Sequence, residues 1–313
     1  MNLTDILASS LFMDDEEIRS FSASSPYRYK VYSIAKRNSQ ERRIIAHPSK
    51  ELKFIQRIIV SLLEQQLPIH MAAKAYTKGL SIKDNAQPHA KSKYLLKMDL
   101  KDFFPSITPS LFFRECRAHG VEVSKQDAEL LEGFLFWKRR RATQLVLSIG
   151  APSSPIVSNF ILYRFDTVIS EHCNKLGINY SRYADDLTFS TNEKGVLIKF
   201  PARVRKELNH LYDGQIKVNL KKTVLSSKAH NRHVTGITLT NDGKLSVGRE
   251  TKRKLSASIH HFVQRKLSVK EIQKLKGDLA HTAFIEPIFL DRMIKKYGCH
   301  AINELKHFSA ENN

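Results

Sequence analysis

Two adjacent carboxylates stand in the tetrad Tyr183-Ala184-Asp185-Asp186, between two runs of strand character, Ile178 to Arg182 and Leu187 to Ser190. Adjacent aspartates are poor strand residues and good turn residues. The pattern therefore predicts a tight hairpin with both carboxylates at its tip. Such groups repel one another unless a cation lies between them. A third carboxylate, Asp99, sits upstream in Leu96-Lys97-Met98-Asp99-Leu100. Carboxylates on neighbouring strands could hold two Mg2+ ions ~3.5–4 Å apart, the arrangement used for phosphoryl or nucleotidyl transfer. One ion would lower the pKa of an attacking hydroxyl, and the other would hold a triphosphate and its leaving group.

The rest of the composition limits what such a site could serve. The 313 residues include 51 Lys+Arg against 31 Asp+Glu, a formal net charge of +20. That balance favours nucleic acid as partner, a membrane surface being the other usual reading. Hydrophobic residues make up 42%, enough for a folded core rather than a basic tail. No run of ~18 apolar residues is present, so no transmembrane helix and no membrane partner are expected. The first residues lack the features of a signal peptide. Cys116, Cys173 and Cys299 are odd in number, widely spaced and without a CxxC pair. They suggest buried apolar filler in a reducing, cytoplasmic compartment, not zinc or disulfides.

The elements that must position the aspartates can be read from periodicity. Residues 1–20 read as an acidic amphipathic helix. Tyr29 to Ile45 reads as two strands around a polar turn at 37–40. Ser49 to Leu67 has helical spacing, capped by Ser49 and stopped by Pro68. Tyr94 to Leu100 alternates as a strand that puts Leu95, Lys97 and Asp99 on one face and Leu96, Met98 and Leu100 on the other. Helices are expected from Ser110 to His119, from Ser124 to Trp137, and from the turn Gly150–Pro155 to about Leu176. A helix over 196–212 and strands near 216–218, 223–225 and 233–239 follow. From Gly248 onward the pattern is helical and basic, a candidate separate subdomain.

Taken together, these residues carry a family resemblance. Tyr180-Ser181-Arg182-Tyr183-Ala184-Asp185-Asp186, with Asp99-Leu100-Lys101-Asp102-Phe103-Phe104 upstream, resembles the palm motifs of reverse transcriptases. Gly150-Ala151-Pro152-Ser153-Ser154-Pro155 is similar to the template- and nucleotide-contacting motif between them. Asn219-Leu220-Lys221-Lys222-Thr223 is similar to the lysine motif that follows, and Arg43-Ile44-Ile45-Ala46-His47-Pro48 to the fingertip strand. The order matches over about 27–239. Asn85-Ala86-Gln87-Pro88-His89 resembles the Asn-Ala-x-x-His element of bacterial retron enzymes, and Val234-Thr235-Gly236 their Val-Thr-Gly element. One departure is Ile149, which stands where the family usually has Gln. An aliphatic residue there is common in enzymes of diversity-generating elements, but these usually lack the Ser154-Pro155 that follows here.

The resemblance implies an α+β right-hand polymerase with fingers, palm and a C-terminal helical thumb. Its divisions would be an N-terminal extension at 1–26, fingers at 27–93, palm at 94–240 with interposed fingers helices at about 121–149, and an RNA-binding thumb at 241–313. It assigns Asp99, Asp185 and Asp186 to the metals and catalysis. Lys222 would protonate pyrophosphate, with Lys221 as its rival. Arg43 would grip the triphosphate, and Gly150 and Ala151 would contact the nucleotide. Phe104 would reject a ribose 2′-OH, Phe103 being the alternative core partner. Tyr183 would lie under the primer end. RNA contacts would come from Asn85, His89, Arg139, Arg140, Val234, Thr235, Gly236, Lys252 and Arg253. Asn85 and His89 could instead cap and turn their loop, Lys138 to Arg141 could be a solvated charge run, and Trp137 could stack a base or lie in the core.

The implied reaction is RNA-templated DNA synthesis from deoxynucleotides. A cognate structured non-coding RNA would serve as template and primer, giving an RNA–DNA hybrid and then branched multicopy single-stranded DNA, in anti-phage defence with an effector protein. About 75 residues follow Leu239, too few for a thumb and an RNase H domain together. Host RNase H would therefore trim the template. The alternatives are a reverse transcriptase of a diversity-generating or phage-exclusion element, and a non-catalytic RNA-binding scaffold.

Overall fold

An antiparallel sheet built around the strand that carries Asp99 organises the molecule. The computed structural model describes residues 3–35 and 42–309. β1 (Tyr29–Ala35) and β2 (Arg42–Pro48) form an antiparallel ribbon. The polar turn expected at 37–40 lies outside the described residues. β3 (Tyr94–Lys101) is the central strand, and β4 (Trp137–Lys138) with β5 (Leu145–Val146) forms a second short ribbon. β6 (Asn179–Tyr183) and β7 (Asp186–Thr191) are the aspartate hairpin. β8 (Lys217–Val218) and β9 (Val224–Ser227) complete the sheet, with order β6-β7-β3-β8 and β9 also on β3. β10 (Arg232–Val234), β11 (Ile237–Leu239) and β12 (Leu245–Ser246) make a small antiparallel sheet.

The alternation of β3 decides which side faces what. Leu96, Met98 and Leu100 enter the main core with Phe112, Phe134, Phe160, Leu187 and Phe189. Leu95, on the other face, joins a smaller core with Ala86, Ala90, Val234, Ile237 and Leu239. Each fully buried Leu or Phe contributes roughly 1.5–3 kcal/mol relative to exposure. Asp99 shares the Leu95 face but lies at the strand end, where that smaller core has stopped.

Beyond β3 the helices follow the polar caps. Ser49 accepts a hydrogen bond from the Leu52 amide at the start of Lys50–Leu63, and Ser124 accepts one from Asp127 at the start of Lys125–Leu135. Three expected helices depart from the reading. The N-terminal segment is two helices, Leu3–Leu11 and Asp15–Ser24, because Phe12 takes a left-handed φ of 54° and Asp14 caps a new start. The segment after Ser154 breaks at Leu162 into Ser154–Ile161 and Tyr163–Lys175. The helix expected to reach Trp137 ends at Leu135, and Trp137 lies in β4 instead.

Four C-terminal helices, Arg249–Val263, Val269–Ile285, Pro287–Tyr297 and Cys299–His307, enclose a core of their own around Leu255, Ile259, Phe262, Leu279 and Ile302. Ile285 ties this unit to the smaller core beside β3. No helix of the described residues is long and apolar enough to cross a membrane.

Candidate active site

The hairpin turn is the tightest available. Tyr183 pairs with Asp186, which leaves only Ala184 and Asp185 in the loop. Ala184 has φ 55°, a conformation that glycine or asparagine adopts more cheaply. Buried side chains hold it there. Arg182 donates from Nη1 to the Ala184 carbonyl at 3.1 Å and to Asn159 at 3.0 Å. It is fully buried against Asp166, with Nη2 2.6 Å from a carboxylate oxygen. The Leu100 amide then donates to the Asp185 carbonyl at 3.0 Å, fixing the turn beside β3.

Asp99 lies across from Asp186 in the β3–β7 register. On its other side, β9 pairs with β3 only as far as Lys97, and β8 only from Leu100. The 3₁₀ turn Leu220–Lys222 fills the gap between them. Consequently Asn219 donates its amide to the Asp99 carbonyl at 2.7 Å and its Nδ2 to Oδ1 at 3.2 Å. Lys222 Nζ donates to Oδ2 at 2.8 Å.

The electrostatics record three crowded carboxylates with cations at their edge. Desolvation, followed by the charges of Asp185 and Asp99, pushes the Asp186 carboxyl up to about 6, although its side chain keeps an exposed rim. Burial and the Asp99 charge raise Asp185 as well, while Arg43 on β2 and Lys222 pull it down. The hydrogen bond to Asp99 raises Lys222, which is therefore held as an ammonium. Among the described residues, no three His, Cys, Asp or Glu side chains form a ready metal group, and both Asp99 oxygens accept hydrogen bonds, from Asn219 and Lys222. The donor set still fits a hard divalent cation. It is all oxygen, mutually repelling, and already neutralised in part by a bound ammonium.

A cleft of about 370 Å³ is lined by residues that include Phe104, Tyr76, His47, Lys53, Arg57 and the loop Ser148–Pro152, and its Tyr76 wall lies within reach of the Asp185 charge. Phe103 is in the main core, and Phe104 stands half-buried against it at 5.6 Å between ring centres. Gly150 has φ 124°, and a Cβ there would sit 3.1 Å from the Ala46 carbonyl. The loop lies that close to β2 because the Ala46 amide donates to the Ile149 carbonyl at 3.0 Å. Ala151 is buried beside it. Arg43 is exposed on β2. Sequence reasoning missed His47, Lys53, Arg57 and Tyr76. Lys53 and Arg57 were legible as a basic i, i+4 pair on the helix face opposite Leu52 and Ile59. Tyr76 lies in a loop with no periodicity to mark it.

The residues assigned to RNA divide sharply. Asn85 and His89 are fully buried, which removes them from direct RNA contact. His89 bonds Ser190 at 2.7 Å and Ser181 at 2.8 Å through its two ring nitrogens. Ser181 also donates to Asn85 Oδ1 at 2.7 Å, and Asn85 Nδ2 reaches Thr235 Oγ1 at 3.5 Å. Burial drives the His89 pKa down to about 3, so the ring is neutral. Val234 is buried too, an apolar member of the small core, whereas Thr235 is half-buried and Gly236 is exposed at the β10–β11 turn. Lys252 is engaged with Glu286 at 2.9 Å, and Arg253 beside it is exposed. Arg139 and Arg140 are exposed on the turn between β4 and β5. Trp137 is buried 6.0 Å from Tyr29, so it offers no face for a base.

The family model for reverse transcriptase (RNA-dependent DNA polymerase) matches residues 34–239. The retron Ec83 reverse transcriptase of Escherichia coli is 48% identical over 283 residues, covering 90% of each chain. The retron Ec73 reverse transcriptase of the same organism is 33% identical over 288 residues, covering 87% of this chain and 88% of that one. Among solved structures, apo telomerase from Candida tropicalis superposes with a TM-score of 0.46 at 13% identity, over 76% of this chain and 60% of that one.

Proposed function

Because the chain belongs to the reverse transcriptase family and is an RNA-directed DNA polymerase of the bacterial retron type, we propose that it copies a cognate structured non-coding RNA serving as both template and primer. The product is branched multicopy single-stranded DNA, made in a phage-defence system with an effector protein, and host RNase H trims the template. The fold is the right-hand polymerase, and in it we assign the sheet and hairpin (94–240) to the palm, residues 27–93 and about 121–149 to the fingers, and 241–313 to the thumb. The observation that carries the reading is the pairing of Asp99 with the strained turn that carries Asp185 and Asp186.

Each side chain has a role that its position supports. Asp99, Asp185 and Asp186 would hold Mg2+, two ions in this reaction class, which supply charge stabilisation and an acidified attacking hydroxyl. Lys222 stays charged against Asp99, and we assign it to the departing pyrophosphate, which it would protonate or neutralise. Lys53 and Arg57 line the cleft, and with Arg43 on β2 they would grip the triphosphate. Phe104 meets the sugar and excludes a 2′-OH. Arg139, Arg140 and Arg253 neutralise RNA phosphates.

The test is extension of a primed RNA by the purified chain with Mg2+ and deoxynucleotides, followed by priming on the RNA encoded beside the gene. DNA joined to an internal 2′-hydroxyl is the expected product of the second reaction. Extension of the annealed primer without any RNA-linked product would leave a polymerase and remove the retron chemistry. In the same assay Phe104→Val should raise ribonucleotide use about 10–100-fold, the range that a single steric contact commands. An unchanged preference would return Phe104 to the core.

A further inference from the structure

The segment after the first long helix carries the feature that the function above leaves unused. Tyr76 has φ 60°, an outlier for a bulky side chain. Its neighbours explain how the backbone is held there. Lys74 donates its amide to the Arg182 carbonyl at 2.8 Å, and Arg182 donates its own to the Ala72 carbonyl at 2.8 Å. This run therefore lies along the edge of β6 as a short parallel bridge. The Ala75 carbonyl accepts from Asn159 Nδ2 at 2.9 Å. On the far side, Thr77 Oγ1 donates back to the Ala73 carbonyl at 3.2 Å. Ala73 and Ala75 are buried. Anchored on both flanks, the chain turns left-handed at one residue and presents its ring outward, 54% exposed.

What the ring faces gives that strain a purpose. Tyr76 lines the cleft shared by Phe104, Gly150 and Ala151. The charges of Asp185 and Arg43 both bear on its phenol, so it stands at the junction of hairpin, fingertip strand and cleft. The same buried Arg182 and Asn159 that hold the Ala184 turn also hold this loop. One framework thus fixes the distance between the catalytic carboxylates and the ring. Strained residues persist where the surroundings over-determine them, and such residues concentrate at ligand contacts.

We propose that Tyr76 is a substrate-contacting residue, whose ring stacks on the nascent base pair between the incoming deoxynucleotide and the templating base. The cations on the cleft wall suit phosphates and Phe104 suits the sugar, which leaves the base pair for a neutral aromatic face. The inference rests on the polymerase reading above.

Two substitutions separate contact from backbone geometry. Asparagine tolerates left-handed φ, so Tyr76→Asn keeps the loop and removes the ring. Single-nucleotide incorporation on primed RNA should then show a deoxynucleotide KM raised on the order of 10-fold, the scale of a lost base–aromatic stack. The expected kcat lies within about threefold of wild type, and the thermal midpoint is unchanged or higher. Tyr76→Phe should keep the wild-type KM. A KM within about twofold of wild type in Tyr76→Asn would overturn the proposal. So would a Tyr76→Phe variant as impaired as Tyr76→Asn, which would shift the role to the hydroxyl. Wild-type protein that fails to extend primed RNA would overturn the polymerase reading, and this assignment with it.

Discussion

The two ends of β6 are built for opposite purposes. At its C-terminal end the chain is strained at Ala184 and crowds Asp185 and Asp186 against Asp99. A few residues back, Ser181 is fully buried in a network with His89, Asn85 and Ser190 in which every distance suits a hydrogen bond. The first end holds charge that the fold compensates only in part. The second is neutral, buried and satisfied, and it locks β6 and β7 to the short helical turns Ile82–Ala86 and Gln87–His89. The contrast teaches that a short polar motif is no guide to exposure. One motif displays its side chains, while the other spends them inside, on holding the strand that does so.

The sharpest way to break this comparison is to neutralise the displayed end. Asp185→Asn or Asp99→Asn should lower DNA synthesis by about 10³-fold or more, since charge stabilisation worth several kcal/mol is lost. RNA affinity, which rests on phosphate contacts, should stay nearly constant. Synthesis within tenfold of wild type in either variant would remove these residues from the chemistry. Next in size is the support beneath the turn. Asp166→Asn leaves Arg182 buried without its counter-ion, and should cost about 3–5 kcal/mol of unfolding free energy. Denaturant titration reads this directly, and a loss below about 1 kcal/mol would mean the turn is held by other means.

A smaller effect sharpens the buried end. His89→Gln should lower stability by about 1–3 kcal/mol through unpaired serine hydroxyls, with RNA affinity unchanged. The wild-type protein should also carry an acid-sensitive term. The folded His89 pKa, about 3, lies below the ordinary value of 6.5. The unfolded state therefore binds more protons between them. This contribution is complete above the unfolded pKa and is lost progressively as pH falls toward about 3. Stability measured against pH for both proteins should converge over that window; a constant difference would show that the ring is not held neutral. The smallest effect belongs to the open surface. Arg140→Ala should flatten the log–log salt dependence of RNA binding by about 0.7–0.9, one phosphate contact. An unchanged slope would make the turn at 139–141 a solvated charge run.

Much of the catalytic region could be read locally. Adjacent aspartates flanked by strand residues define a hairpin tip because backbone and side-chain preferences act over a few residues, and the observed β6 and β7 lie within one residue of the expected runs. The alternation of β3 likewise foretold which residues reach the core. Elements whose ends depend on packing were harder to place. The break at Leu162 has no proline or glycine to announce it, and Trp137 leaves its helix because it packs against Tyr29.

By itself, then, the sequence determined the chemistry on offer: three aspartates in strand contexts, a surplus of cations, and motifs in the order of a reverse transcriptase. These depend on residue identity and short-range geometry. Only the tertiary structure decided which polar residues meet solvent. It buried Asn85 and His89 and paired Lys252 with Glu286. It also set Lys222 on Asp99 through a gap between two strands, and drew Tyr76 to the cleft along the edge of β6. Each of those outcomes depends on partners tens to more than a hundred residues away in the chain, and no local preference encodes a partner that the fold must first bring near.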